Sequence, residues 1–186
     1  LSLWVRGNAA LQTVTVTEAG GKMSVTGAGA DIWGNSDEFT YAYKTLTGDG
    51  TLTARVVSKG AGTNEWAKGG VMIRDSFNGG STHASMVLTA GGGNGASFQY
   101  RTATNGTSSN ADSGSAITPP YWVKIERFAD AFKGFVSADG KTWTQIGITA
   151  ITMTDPVYIG LCVTSHEKGV DRTYQFDNIN TTGAVT

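Results

Sequence analysis

Apolar and polar residues alternate with a period of two along nearly the whole chain. Phe39, Tyr41 and Tyr43 alternate with Thr40, Ala42 and Lys44, and Leu52, Ala54 and Val56 with Thr53, Arg55 and Val57. The same rhythm recurs in Leu11–Thr17, Val71–Arg74, Val123–Glu126 and Ile159–Thr164. A strand turns successive side chains to opposite faces, so each run predicts a strand with one face on a core and the other partly polar. Turn signals separate the runs: Gly48-Asp49-Gly50, Asn78-Gly79-Gly80, Gly91 to Gly95, and Asp139-Gly140. Asp-Gly accepts the positive φ of a tight reversal, so Phe132–Val136 and Trp143–Ile148 form the clearest hairpin. About twelve short strands, with no helical stretch, predict an all-β fold: a two-sheet antiparallel β-sandwich or jelly roll.

A length of 186 residues suits one domain, and no linker divides it, so residues 1–186 read as one module. Gly20-Gly21 reads as a turn rather than a boundary. The longest interruption, Thr102 to Thr118, ends at Pro119-Pro120. A loop of that length inside a compact domain is usually functional or mobile. The chain opens on Leu1-Ser2-Leu3-Trp4 without an initiator Met, which reads as a processed protein or a module cut from a larger secreted one.

Composition supports this fold and removes several functions. Glycine is 26 of 186 residues, Thr and Ser together are 40, and Leu is only 7, a poor supply of helix formers. A hydrophobic fraction of 39% opposes disorder. A net charge of −1 leaves no basic field for nucleic acid or anionic membranes. No apolar run approaches the length that spans a bilayer. The single cysteine, Cys162, excludes an internal disulfide, and its apolar run Val157–Val163 predicts a buried, inert thiol.

Catalytic patterns are sparse. A sandwich glycoside hydrolase needs two carboxylates flanking the scissile bond, most economically at i and i+2 of one strand. No two of the 15 acids are two apart. Glu126 and Asp130 are four apart but straddle an expected turn, Glu167 and Asp171 fall in a glycine-containing loop, and the adjacent Asp37 and Glu38 would face opposite ways. Only distant strands would then bring acids together. Gly-x-Ser-x-Gly is absent, and His83 and His166 are too few for a zinc site.

A set of ordered segments carries a resemblance. It comprises Ala30-Asp31-Ile32-Trp33-Gly34, Asp37-Glu38-Phe39, Gly48-Asp49-Gly50-Thr51, Glu65 to Arg74, and Phe98-Gln99-Tyr100-Arg101. It continues with Tyr121-Trp122-Val123-Lys124, Ser137 to Gly140 with Trp143, Tyr158 to Leu161, Thr164-Ser165-His166 and Phe176-Asp177-Asn178. From about Val16 to Ile179 the chain resembles the bacterial laminin-G-like jelly-roll modules of the concanavalin A-like lectin/glucanase superfamily. The resemblance implies a module appended to a secreted polysaccharide-degrading enzyme.

Strand alternation places Lys68, Met72 and Arg74 opposite Val71 and Ile73, and Gln99 and Arg101 opposite Phe98 and Tyr100. Guanidinium forks beside an amide suit sugar hydroxyls or carboxylates, with His166 and His83 joining at strand ends. The alternative is that both arginines are solvated or internally paired. Trp66 is the best exposed stacking platform, though a core position suits it equally; Tyr100 is a weaker choice. Trp33, Trp122 and Trp143 read as core. Asp31 and Asp177 either share one structural Ca2+ or cap turns through their own backbone. Asn105-Gly106-Thr107 and Asn180-Thr181-Thr182 match the glycosylation pattern, which recurs by chance.

The expected function is a non-catalytic carbohydrate-binding module, extracellular or at the cell surface and monomeric. It would hold a polysaccharide or oligosaccharide near a covalently linked catalytic domain. The alternative expectation is a protein-interaction or spacer module without a sugar site.

Overall fold

The computed structural model describes residues 4–6, 15–114 and 116–186. Of the alternating run Leu11–Thr17, residues 11–14 lie outside the described residues. The described residues form thirteen strands, β1 (Trp4–Arg6), β2 (Thr15–Ala19), β3 (Lys22–Gly29), β4 (Thr40–Ser58), β5 (Lys68–Arg74), β6 (His83–Thr89), β7 (Ala96–Arg101), β8 (Ser109–Asp112), β9 (Tyr121–Phe128), β10 (Ala131–Ser137), β11 (Thr144–Ala150), β12 (Val157–Thr164) and β13 (Glu167–Val185). Every pairing is antiparallel, and no helix occurs among the described residues. This is the expected all-β sandwich.

Two strands are far longer than expected, at 19 residues each, and one of them builds the sandwich. The first half of β4 pairs with β12 and carries the run β12-β5-β6-β7-β8. Its second half pairs with β9 and β13, and carries β9-β10-β11 on one side and β13-β3-β2 on the other. The expected turn at Gly48-Asp49-Gly50 is the corner between these layers. Gly48 has φ +72°, and the β13 register slips between Gly183 and Ala184 opposite it. A glycine kink lets the strand change layers without ending the ladder. The corner is tied down by the Asp155 carboxylate, which accepts from Gly48 N at 3.1 Å, and by Asp49, which accepts from Ala129 N at 2.6 Å.

The core fills the space between layers. Val71, Ile73, Met86, Leu88 and Phe98 from one layer meet Ala54, Val123, Ile125, Phe132 and Phe176 from the other. The layers approach so closely that a Cβ on Gly134 would lie 2.4 Å from the Phe98 ring. The hairpin at Asp139-Gly140 forms as expected, with β10 paired to β11. The Thr102–Thr118 segment contains one strand, β8, on the edge of the first layer.

A second, smaller core lies on the outer face of the first layer. The segment 31–39, between β3 and β4, folds across that face and inserts Ile32 among Tyr41, Met72, Val87 and Cys162. Phe39, Tyr43, Phe77 and Tyr158 close it from the side. Burial pushes the Cys162 thiol up to about 12, so it stays protonated and inert.

Candidate functional site

The covering segment determines what remains open on the first layer. Arg74 and Arg101 do share the outer face, but they are sealed beneath residues 31–39 and 75–82 and are 1% and 0% exposed. Both turn to Asp37. Arg101 Nη2 donates to Asp37 Oδ1 at 2.6 Å and Nη1 to Oδ2 at 2.8 Å, and Arg74 Nη1 donates to Oδ2 at 3.3 Å. Their other donors reach carbonyls: Arg101 those of Gly34, Gly79 and Ser81, and Arg74 those of Ser76 and Asn78. Sequence alternation located the two arginines on this face but had no means of showing its cover. Neither guanidinium is offered to a ligand.

His83 is buried too, and neither ring nitrogen has a hydrogen-bond partner. Burial, reinforced by Arg74, Arg101 and Lys68, holds its pKa well below the usual imidazole value. It is therefore a neutral core histidine rather than a ligand group.

The open part of the face is a groove of about 400 Å³ lined by Asp31, Trp33, Trp66, Lys68, Gln99, Asn110 and His166. Gln99 and Lys68 form its floor, and Lys68 Nζ donates to Gln99 Oε1 at 3.3 Å. Lys68 also meets Asp31 Oδ1 at 2.7 Å, and His166 Nε2 lies 3.1 Å from Asp31 Oδ2. The Asp31 carboxylate thus bridges two basic side chains. Its Oδ1 also accepts from Ile32 N at 2.7 Å, which fixes it at the start of the covering segment.

Two tryptophans stand at this groove. Trp66 is 49% exposed, as expected of a platform, and Trp33, read from sequence as core, is 38% exposed. The difference has a local cause: Trp33 sits in the covering segment, not in a strand, and its neighbour Ile32 fills the pocket beneath. The Trp66 loop is held by Asn64, whose Oδ1 accepts from Trp66 N at 3.0 Å. Asn64 Nδ2 in turn donates to the carbonyl of His166 at 3.4 Å. His166 itself has φ +60°. Asn110, on β8, had no signal of its own in the sequence beyond its place in the long interruption. Tyr100 faces inward and packs against the core.

The two carboxylates expected to share calcium are differently engaged. Asp31 faces Lys68 and His166 in the groove. Asp177, on β13, accepts from Arg55 Nε at 2.8 Å and Nη2 at 2.5 Å, and that contact holds its carboxyl below the usual range. A calcium ion would have to displace a lysine or an arginine at either place. Among the described residues no cluster of three or more His, Cys, Asp or Glu side chains is placed to hold a metal. These donors, each already facing a cation of the chain, do not fit a calcium ion as they stand.

Carboxylate pairing is also limited in the groove, where Asp31 is the one acid in the lining. Glu38 lies opposite Asp31 in an isolated bridge but turns to Lys168 Nζ at 3.1 Å.

The sequence matches no protein-family model, and no curated protein is similar to it. Solved structures are similar to it in shape. A functionally unknown protein from Saccharomyces cerevisiae aligns with a TM-score of 0.74 at 16% identity, over 99% of this chain and 97% of that one. A legume lectin-like domain from Entamoeba histolytica aligns with a TM-score of 0.59 at 8% identity, over 98% and 90%. The GH43 protein BlXynB from Bacillus licheniformis aligns with a TM-score of 0.60 at 11% identity, over 87% of this chain but only 33% of that one. The fold is a concanavalin A-like jelly roll. At these identities the likeness is one of fold.

Proposed function

We propose that this jelly roll is a non-catalytic carbohydrate-binding module, and that residues 31–39, the Trp66 loop, β5, β7, β8 and the His166 turn form its sugar site. The observation that carries the reading is the pairing of two exposed tryptophans with a floor of hydrogen-bonding side chains. Pyranose rings present an apolar C–H face and a rim of hydroxyls, and a site for them needs a ring to stack on and convergent polar groups. Trp33 and Trp66 supply the first, and Asp31, Gln99, Asn110, Lys68 and His166 the second.

The groove's charges are matched within the protein, because Asp31 faces Lys68 and His166. With Arg74 and Arg101 committed to Asp37, neither of these guanidiniums is left to attract a carboxylate or sulfate. This favours a neutral glycan over an anionic one. The single lining acid favours binding over hydrolysis, since both hydrolytic geometries use two carboxyl groups, about 5–5.5 or 6.5–9.5 Å apart.

The lectin-like neighbour supports sugar as the ligand class, and the GH43 neighbour, of which this chain covers only 33%, supports a module joined to a catalytic domain. Such a module would act outside the cell, raising the concentration of the linked enzyme on its polysaccharide. A glycan array read at low and high salt tests this. Binding of neutral glycans with little salt dependence is expected. No binding to any glycan would favour the interaction-module alternative.

A further inference from the structure

The outer face of the second layer carries another aromatic surface, on the side of the sandwich away from the groove. Trp122 and Trp143, read from sequence as core, are only half-buried there. The reason is alternation: Val123 and Ile125 take the inward positions of β9, so Trp122 and Lys124 point out. A shallow groove of about 470 Å³ runs between them, bordered by Thr53, Asn178 and Asn180. Asn180, Thr53 and Lys124 are cross-strand neighbours in one row, and Arg55 and Trp122 are neighbours in a row beside it.

Each aromatic ring is held. Lys124 Nζ sits 4.8 Å from the Trp143 ring centroid and pairs with Glu126 Oε1 at 2.7 Å. Arg55 stacks over Trp122 at 6.0 Å while chelated by Asp177. A Cβ on Gly140 would lie 2.7 Å from the Trp122 ring, so the turn packs directly on the indole. The charges of Lys124 and Arg55 are thus matched locally, leaving an electrically balanced face.

We infer that this face is a second glycan-binding site, one that takes an extended neutral polysaccharide chain. The inference rests on the sugar-module reading for its ligand class. Protein-binding surfaces gather apolar groups into a continuous centre within a polar rim. Here the two indoles are instead interspersed with the exposed Asn178 and Asn180 and the half-buried Thr53, the arrangement that suits a chain of alternating C–H faces and hydroxyls. The openness of the groove suits the side of a polymer rather than a terminal sugar. Two sites on opposite sides make the module bivalent, so it can join two chains, and avidity raises its hold on a polymer above that on an oligosaccharide.

Affinity electrophoresis in gels containing a neutral β-glucan, xylan or galactomannan tests this with Trp66→Ala, Trp143→Ala and the double variant. Asn180→Ala serves as a second probe of the same face that leaves the indole packing intact. The expected result is partial retardation for each tryptophan variant, each weakened by about tenfold, and none for the double variant. Asn180→Ala should weaken retardation in the same direction as Trp143→Ala. Loss on Trp66→Ala alone, with Trp143→Ala and Asn180→Ala migrating as wild type, would overturn the second site and leave the first standing. Loss on Trp143→Ala and Asn180→Ala with Trp66→Ala unchanged would do the reverse. A wild type unretarded by every polysaccharide would overturn both.

Discussion

Arg101 grips Asp37 with both arms of its fork, at 2.6 and 2.8 Å, and solvent reaches neither side chain. The same guanidinium donates to the carbonyls of Gly34, Gly79 and Ser81. It therefore ties β7 to the covering segment and to the loop before β6. Trp33 precedes Gly34 directly, so this buried pair sets the position of one aromatic edge of the groove.

Removing Asp37 should leave two guanidiniums without their anion. Asp37→Ala is expected to cost about 3–5 kcal/mol of stability, the range for breaking a buried ion pair from one side. Arg101→Ala should destabilise comparably, because it breaks the same buried pair from the other side. Urea denaturation measures both; a loss below about 1 kcal/mol would place the pair among exposed salt bridges instead.

Trp66→Ala should act in the opposite way. Trp66 is half exposed, so stability should change by no more than about 0.5 kcal/mol. Binding to the best glycan from an array should fall by about 1–2 kcal/mol, for lost stacking and burial on one ring. Calorimetric titration beside a thermal melt separates the two. Unchanged affinity would remove Trp66 from the site.

His83 should make stability fall in mild acid. Its pKa is held well below 6.5 in the fold, so below that value the unfolded chain takes up a proton that the native state does not. Its contribution is complete above pH 6.5 and is lost as pH falls toward the folded pKa, by up to about 1.4 kcal/mol per pH unit. His83→Leu should flatten this part of the profile. A variant whose stability follows the wild-type slope between pH 6.5 and 5 would assign that slope to other groups.

Calcium should leave the melting temperature unchanged, because Lys68 and Arg55 already occupy Asp31 and Asp177. A native-state ion would raise it through mass action. Melts with excess calcium and with chelator decide the matter, and a rise that vanishes in Asp31→Asn would locate a structural ion in the groove.

The alternation of side chains is a local property, and it was enough to place most strands, the hairpin at Asp139-Gly140 and which residues share a face, though not the length of β4 or of β13, whose Glu167 and Asp171 read as loop. Lys68 and Arg74 do lie opposite Val71 and Ile73. Alternation says nothing about what lies above a face. Residues 31–38 carry no periodic signal, yet the fold of this segment over the first layer buries Arg74, Arg101 and His83 and lifts Trp33 to the surface. The same limit hid the corner in β4, because Gly48-Asp49-Gly50 has the composition of a turn whether the chain reverses or only changes layers. It also misassigned Trp122 and Trp143, whose strand-like contexts suggested a core already filled by Val123, Ile125 and Phe132. Local sterics determine which way a side chain points, whereas burial depends on which distant segment packs against it, and only the tertiary structure decides that.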